Sequence, residues 1–432
     1  MRVVYNILFV LFFWLSAPWY FLKLWRRGNW RAGFAQRFAR YGSEIQAVVG
    51  QRPVCWLHAV SVGEVGVCLQ LLRALELNLP AFQFVVSTTT STGMGELRRR
   101  LPPRVQAFYY PVDFPGVVRR ALNTLQPKAI ILVEAELWPN LLWQAQDRDI
   151  PLCLVNARIS ERSFRGYGRF AVLFRPIFSR FRAVGCQQAG DAQRLIALGF
   201  PAAAVLPVGN MKFDAAQPDA RPGLDVPGLL RQIGVNTNAK LLVAGSTHPG
   251  EEAILAEMWP RLRRRFPDLF LILVPRHFER AKEAGQALAA RGIPFVYRSD
   301  IAGEKQFAPG QLECLLVNST GELKFFYEQA ALVFVGKSLT AKGGQNPIEP
   351  AALGKAMVFG PNMQNFKSVV AAFLAENAAM QVPDAAGLEQ ASAALLGDDQ
   401  RRAEMGARAL QVVRQNLGAT ARTVQLLTER LG

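Results

Sequence analysis

Short apolar runs that alternate with helical stretches constrain this chain more than any other feature. Val54 to Leu57, Gln83 to Ser87, Ala129 to Val133, Leu152 to Val155 and Ala183 to Gly185 form one set. Leu241 to Gly245, Leu269 to Val274, Phe295 to Tyr297, Leu315 to Val317 and Leu332 to Val335 form a second. A strand without polar alternation needs cover on both faces, which is the condition of a parallel sheet between helix layers. Between the sets, Pro207 to Gly228 is rich in proline and glycine and shows little periodicity. Two doubly wound α/β domains facing each other across a ligand-binding cleft are expected. The expected division is a segment 1–40, a first domain 41–208, a linker 209–235, a second domain 236–415 and a C-terminal helix 416–432. The last helical stretch reads from about Arg401 to Gly432 and suits either domain.

The N-terminal segment is of another kind. Val3 to Leu22 carries no charge, and its length matches a bilayer crossing. Trp19, Tyr20 and Trp25 form an aromatic edge, followed by Lys23, Arg26, Arg27 and Arg31. That order predicts a single membrane anchor with the body on the cytoplasmic side, either spanning or lying in the interface. A cleavable signal peptide fits less well, because most of the charge follows the apolar run. The chain holds 50 Lys and Arg against 33 Asp and Glu, a formal charge of +17, so a polyanionic partner is expected. No zinc-finger spacing, RNA-binding aromatic motif or basic zipper accompanies the charge, which disfavours nucleic acid and leaves an anionic membrane surface. The cysteines at 55, 68, 153, 186 and 314 include no close pair and read as reduced core residues.

Polar clusters stand at the expected strand ends, where ligands of open α/β sheets bind. After the first strand, Ser61 and Glu64 have capping-box spacing, so Glu64 reads either as a cap or as a general base. Glu134 and Glu136 follow the third strand, as a solvated loop or as carboxylates with a task. Gly245 to Glu252 is either an anion site or a capped helix start whose two glutamates meet the dipole themselves. Arg276 ends the next strand, free to grip a phosphate or to form a surface ion pair. Ser319 to Glu322 again has capping-box spacing. In Gly343 to Pro350, two glycines free the backbone, while Asn346, Pro347 and Glu349 supply a cap, a first helical residue and a first-turn carboxylate. There is no GxSxG elbow, Walker A sequence or HExxH. Asp147-Arg148-Asp149 matches the acid-x-acid pattern of metal-using glycosyltransferases but reads as a solvated turn. No residue pattern calls for a metal or another cofactor.

Taken together, HAVSVGE at 58–64, EAELWPN at 134–140, NARISERSFRGY at 156–167, GNMKFD at 209–214, GSTHPGEE at 245–252, VPRHFER at 274–280, STGEL at 319–323 and GGQNPIEP at 343–350 resemble one family. It is the 3-deoxy-D-manno-octulosonic acid (Kdo) transferases of lipopolysaccharide synthesis. The resemblance spans nearly the whole chain. It implies a GT-B glycosyltransferase at the cytoplasmic face of the inner membrane that moves Kdo from CMP-Kdo to lipid IVA without a metal. The first domain would take lipid IVA and the second CMP-Kdo. It implies Glu64 as proton acceptor and Glu134 and Lys212 as transition-state stabilisers. It also implies nucleotide contacts at Pro275, Arg276, Thr320, Gly321, Glu322, Asn346, Pro347, Ile348 and Glu349. The family has histidine at Gln345, glycine at Lys337 and methionine at Thr320, so Lys337 and Gln345 are expected as altered donor contacts. A nucleotide-sugar epimerase of the same fold and a membrane-tethered binding protein without catalysis are the other readings.

Overall fold

Successive residues of the first strand enter different cores. Val54 and Trp56 join one buried apolar cluster, and Cys55 and Leu57 join another. Ile130 and Leu132 are split in the same way from Ala129, Ile131 and Val133. Side chains on a strand alternate between faces, so two buried clusters mean a sheet covered on both sides, and this is why the runs lack polar alternation. Burying each such Leu or Ile contributes roughly 1.5–3 kcal/mol.

The computed structural model describes residues 1–26, 33–47, 50, 52–134, 137–216, 223–301 and 306–432. Arg27 and Arg31 of the basic flank, Glu136 and residues 217–222 of the expected linker lie outside the described residues. The chain divides into two units, Met1–Ala215 with Asn416–Gly432, and Ala216–Gln415.

In the first unit the strands are β1 (Val54–His58), β2 (Gln83–Thr88), β3 (Gln106–Tyr109), β4 (Pro127–Val133), β5 (Leu152–Ala157), β6 (Phe181–Cys186) and β7 (Val205–Pro207). They form one sheet in the order β3-β2-β1-β4-β5-β6-β7, with every pairing parallel. The chain order reverses between β1 and β4, which creates a switch point at their carboxyl ends. The edge strands β3 and β7 are absent from the sequence expectation. Gln106 and Ala107 are only half-buried and Leu206 and Pro207 are exposed, so these edges lack the continuous apolar run.

The second unit holds β8 (Lys240–Thr247), β9 (Leu269–Pro275), β10 (Phe295–Tyr297), β11 (Cys314–Leu316), β12 (Leu332–Val335), β13 (Met357–Phe359) and β14 (Met380–Gln381). Their order is β10-β11-β9-β8-β12-β13-β14, again all parallel. Its switch point lies between β8 and β12.

The C-terminal stretch expected as one helix is two, Asp399–Asn416 and Ala419–Leu431. Gly418 has φ 80°, a left-handed conformation that breaks the ladder and suits glycine. The second of these helices packs in the first unit, where Ala419, Val424, Leu426 and Leu427 join the cluster of Leu57 and Ile131.

The N-terminal helix Arg2–Arg26 contains a window, Arg2–Trp19, that is long and apolar enough to cross a membrane. Its first turns bond to the body of the first unit. Arg2 makes a bidentate pair with Asp147 at 2.6 and 2.8 Å, and the Tyr5 hydroxyl donates to Asp113 at 3.0 Å. Asp147 lies in an exposed turn, as the sequence reading has it, and there pairs with Arg2.

Candidate active site

At the first switch point, β1 ends at His58, which lies in register with Leu132 of β4. The strand end turns through Ser61 into the helix Val62–Asn78. Ser61 accepts a hydrogen bond from the Glu64 backbone N–H at 3.3 Å and donates its hydroxyl to Glu64 Oε1 at 2.9 Å. Glu64 Oε2 accepts from the Val60 N–H at 2.8 Å. The cap reading therefore describes real contacts. They also fix the half-buried carboxylate at the mouth of the strand end.

Two positions past Leu132, Glu134 leaves β4 in a left-handed conformation with φ 65°. Its N–H donates to the Val155 carbonyl at 2.9 Å, which holds the turn. Glu134 Oε1 then stands 2.9 Å from Lys212 Nζ, with the two side chains 23% and 16% exposed. Residues that the sequence could only place in separate motifs are thus one partly desolvated ion pair.

Asn156, for which sequence reasoning assigned no role, joins this pair to the fold. It is fully buried at the end of β5, with φ 52°. Its Nδ2 donates to Glu134 Oε1 at 3.4 Å, and its Oδ1 accepts from the Met211 N–H at 3.1 Å. One amide thereby holds both the carboxylate and the segment that carries Lys212. The usable signal was an asparagine at a strand end, since Asn tolerates left-handed geometry better than most residues. The same segment is fastened again by Asp214, which accepts from Gly418 N–H at 2.7 Å and Thr420 N–H at 2.6 Å.

In the second unit, the two readings of Gly245 to Glu252 are separated by geometry. Glu251 is fully buried and accepts from the backbone N–H groups of His248, Lys337, Ser338 and Leu339 at 2.7–3.0 Å. Its own carboxylate fills the place a bound anion would take. Glu252 is held by Arg280 at 2.9 Å and by Thr247 at 2.8 Å. Glu251 thus welds the segment after β8 to the loop after β12 at the switch point, and Glu252 ties it to Arg280 beyond β9.

The residues expected to meet a nucleotide ring that weld. Pro275 is buried at the end of β9, and the exposed Arg276 donates its N–H to the Thr247 carbonyl at 3.0 Å. Lys337, with φ 56°, is held by Glu251 through its N–H, and its carbonyl accepts from Gly344 at 3.1 Å. Lys337 and the glycine pair before Gln345 are therefore one loop cluster. Gly343 and Gly344 have φ 119° and 73°, and a Cβ on Gly344 would lie 2.4 Å from Met363 Sδ. Gln345 itself is half-buried.

The short helix begins at Ile348, one residue later than expected, with Pro347 at the cap position. Asn346 Oδ1 accepts from the Ile348 N–H at 3.1 Å and its Nδ2 donates to Glu349 Oε1 at 3.1 Å. Burial raises the Glu349 carboxyl above its usual range, against the Asn346 hydrogen bond and the charge of Arg276. Burial lowers His248, and the Lys337 charge adds to this, so the ring is biased to the neutral form. Thr320 and Gly321 are exposed after β11, with Gly321 at φ 86°. Ser319 donates to the Glu322 carboxylate, which also pairs with Arg298 at 3.4 Å. The reciprocal bond of a capping box is not formed, because Glu322 occupies the cap position of the helix Leu323–Gln329.

Residues 32–215 match the family described as 3-deoxy-D-manno-octulosonic-acid transferase (kdotransferase). The 3-deoxy-D-manno-octulosonic acid transferase of Bordetella pertussis is 35% identical over 433 residues, covering 96% of this chain and 97% of the relative. The chain belongs to the Kdo transferase family. Its architecture is that of GT-B glycosyltransferases. Acinetobacter baumannii MurG matches with a TM-score of 0.53 at 14% identity, over 88% of this chain and 99% of that one. Neisseria meningitidis UDP-GlcNAc 2-epimerase matches with a TM-score of 0.55 at 12% identity, over 87% and 100%. The fold is thus shared by transferases and epimerases, and the family assignment comes from the sequence relationship.

Proposed function

We propose that the protein is a glycosyltransferase that moves Kdo from CMP-Kdo to a sugar hydroxyl of lipid IVA, at the cytoplasmic face of the inner membrane, in lipopolysaccharide synthesis. Family membership supports the Kdo chemistry. The observation that carries the mechanism is the Glu134–Lys212 pair at 2.9 Å, at the strand end next to the one that bears Glu64.

In this reading Glu64 takes the proton of the acceptor hydroxyl as that oxygen attacks the anomeric carbon. The bond from that carbon to the cytidylate oxygen breaks, and the carbon passes through an oxocarbenium-like state, by analogy with glycoside chemistry. Lys212 offsets the charge of the departing phosphate or of the Kdo carboxylate, and Glu134 holds its ammonium in place. Pro275, Arg276, Thr320 to Glu322 and Asn346 to Glu349 hold the cytidylate. Lys337 adds a cation beside Gln345, where the resemblance leads one to expect histidine. Positive charge from these side chains takes the part that a metal ion plays in other transferases.

Incubation of the full chain with CMP-Kdo and lipid IVA, followed by mass measurement of the lipid, tests this reading. A lipid heavier by one or more Kdo units supports it. An epimerase would alter the nucleotide sugar without any acceptor and leave the lipid unchanged.

A further inference from the structure

The N-terminal helix Arg2–Arg26 has two unlike faces. On one, Arg2 pairs with Asp147, Tyr5 donates to Asp113, and Asn140 donates to Asn6 Oδ1 at 2.7 Å. Phe9 packs edge-on against Phe114 and Trp138 with ring centroids 5.3 and 6.1 Å apart, and Phe13 against Phe114 at 4.9 Å. Asp113 is 2% exposed and also accepts from the Asn140 and Leu141 N–H groups, so the latch closes on a buried carboxylate. On the other face, Val3, Val4, Ile7, Leu8, Leu11, Trp14 and Leu15 are exposed, Leu15 by 83%.

The contacts also fix the direction of the helix. Its start lies at Asp147, just past the end of the helix Pro139–Gln146, and Phe9 and Phe13 lie at Trp138 and Phe114, before the starts of the helices Pro139–Gln146 and Pro115–Leu125. The N-terminal helix therefore runs antiparallel along the surface of the first unit, toward the strand ends that carry Glu64 and Glu134. The hydrogen bonds from Arg2 lower the pKa of Asp147 most, and the charges of the exposed residues Arg148 and Arg180 add to this. If the helix crossed the bilayer while docked, the polar surface of the first unit beside it, with Asp113, Asn140, Asp147, Arg148 and Arg180, would have to enter the membrane as well, where polar and charged groups are costly. If it crossed undocked, Asp113, Asn140 and Asp147 would lose their contacts to Tyr5, Asn6 and Arg2.

We propose that the helix does not span the membrane but lies in the interface of an anionic phospholipid leaflet, held to the first unit by the Arg2, Tyr5 and Asn6 contacts. The apolar stripe meets the acyl chains, and Arg148, Arg180 and the +17 charge of the chain meet the headgroups. The proposal deepens the membrane part of the function proposed above and rests on it.

The test uses the full chain with single cysteines at positions 4, 8, 11 and 15. All five native cysteines are buried and will not compete for label. Each variant carries a nitroxide and is bound to vesicles of phosphatidylglycerol and phosphatidylethanolamine, and label depth is read from collisions with oxygen and with a polar nickel complex. An interfacial helix gives the same depth at all four positions. A spanning helix, rising 1.5 Å per residue, gives a steady change of about 16 Å from 4 to 15 and overturns the proposal. Labels left in water, or broadened by a label on a second copy, also overturn it. Kdo transfer to detergent-dispersed lipid IVA is measured on the same preparations. Equal depths with no transfer would count against the transferase reading and leave the helix placement standing.

Discussion

Asn156 and Glu134 meet at the ends of neighbouring strands, both in left-handed backbone conformations, with the Asn156 amide donating to the carboxylate oxygen that also binds Lys212. Non-glycine residues in such conformations cost of order 1 kcal/mol or more and persist where the surroundings over-determine them. Here the surroundings are β4, β5 and the Met211 segment, and the outcome is a fixed ammonium beside a fixed carboxylate.

The ion pair makes the first prediction. Lys212→Ala and Glu134→Gln are each expected to lower kcat by about 100-fold or more while leaving KM for lipid IVA within a few-fold, as for loss of a charge-stabilising group. Steady-state kinetics on the purified variants checks this.

Asn156 is expected to act through its partners. In Asn156→Asp the oxygen that accepts from Met211 is kept, but the donor to Glu134 becomes a second carboxylate oxygen. We expect kcat to fall at least about tenfold at neutral pH with KM little changed, and to recover in part as pH is lowered and the new acid protonates. Asn156→Ala should lose activity without that acid recovery. Equal pH profiles for the two variants would reduce Asn156 to a packing role.

Much of this architecture was legible before the structure. Trp56, Ile131 and Leu271 lie in runs with no polar alternation, and such runs specify central parallel strands. Of the edge strands only β10 was legible, as the run Phe295 to Tyr297, because β3, β7 and the two-residue β14 bury too little to need an apolar run. At the site, strand-end polar clusters marked the right places, but the pairing of Glu134 with Lys212 depends on β4 and the Met211 segment converging, which no local pattern encodes. Glu251 shows the same limit. Its spacing suggested a helix cap, and its carboxylate in fact gathers the N–H groups of Lys337 to Leu339 from another loop.

Asp113 predicts a pH dependence of stability. Burial pushes its carboxyl up to about 7, against the hydrogen bonds from Asn140, Tyr5 and Leu141. The folded state then holds a proton that the unfolded state releases near 4, so the contribution of this group is complete below about 4 and is lost as pH rises through about 7. Chemical denaturation from pH 4 to 7 should show wild-type stability falling relative to Asp113→Asn, by up to about 1.4 kcal/mol per pH unit. A constant difference between the two proteins would contradict this.

Lys337 is fixed by Glu251 and Gly344 in the loop cluster that leads to Gln345. Lys337→Ala is expected to raise KM for CMP-Kdo several-fold with kcat nearly unchanged. The backbone contacts survive truncation, although φ 56° adds some strain for any side chain. An unchanged KM would remove Lys337 from the donor site.

The assignment of Glu64 is tested most directly by single-turnover transfer of Kdo from CMP-Kdo to lipid IVA, read by the mass of the lipid, for wild type and Glu64→Ala. The wild-type protein should convert the lipid to a Kdo-bearing product, and Glu64→Ala should bind CMP-Kdo as well as wild type yet transfer at least about 100-fold more slowly. A Glu64→Ala protein that converts lipid IVA at the wild-type rate would contradict the account.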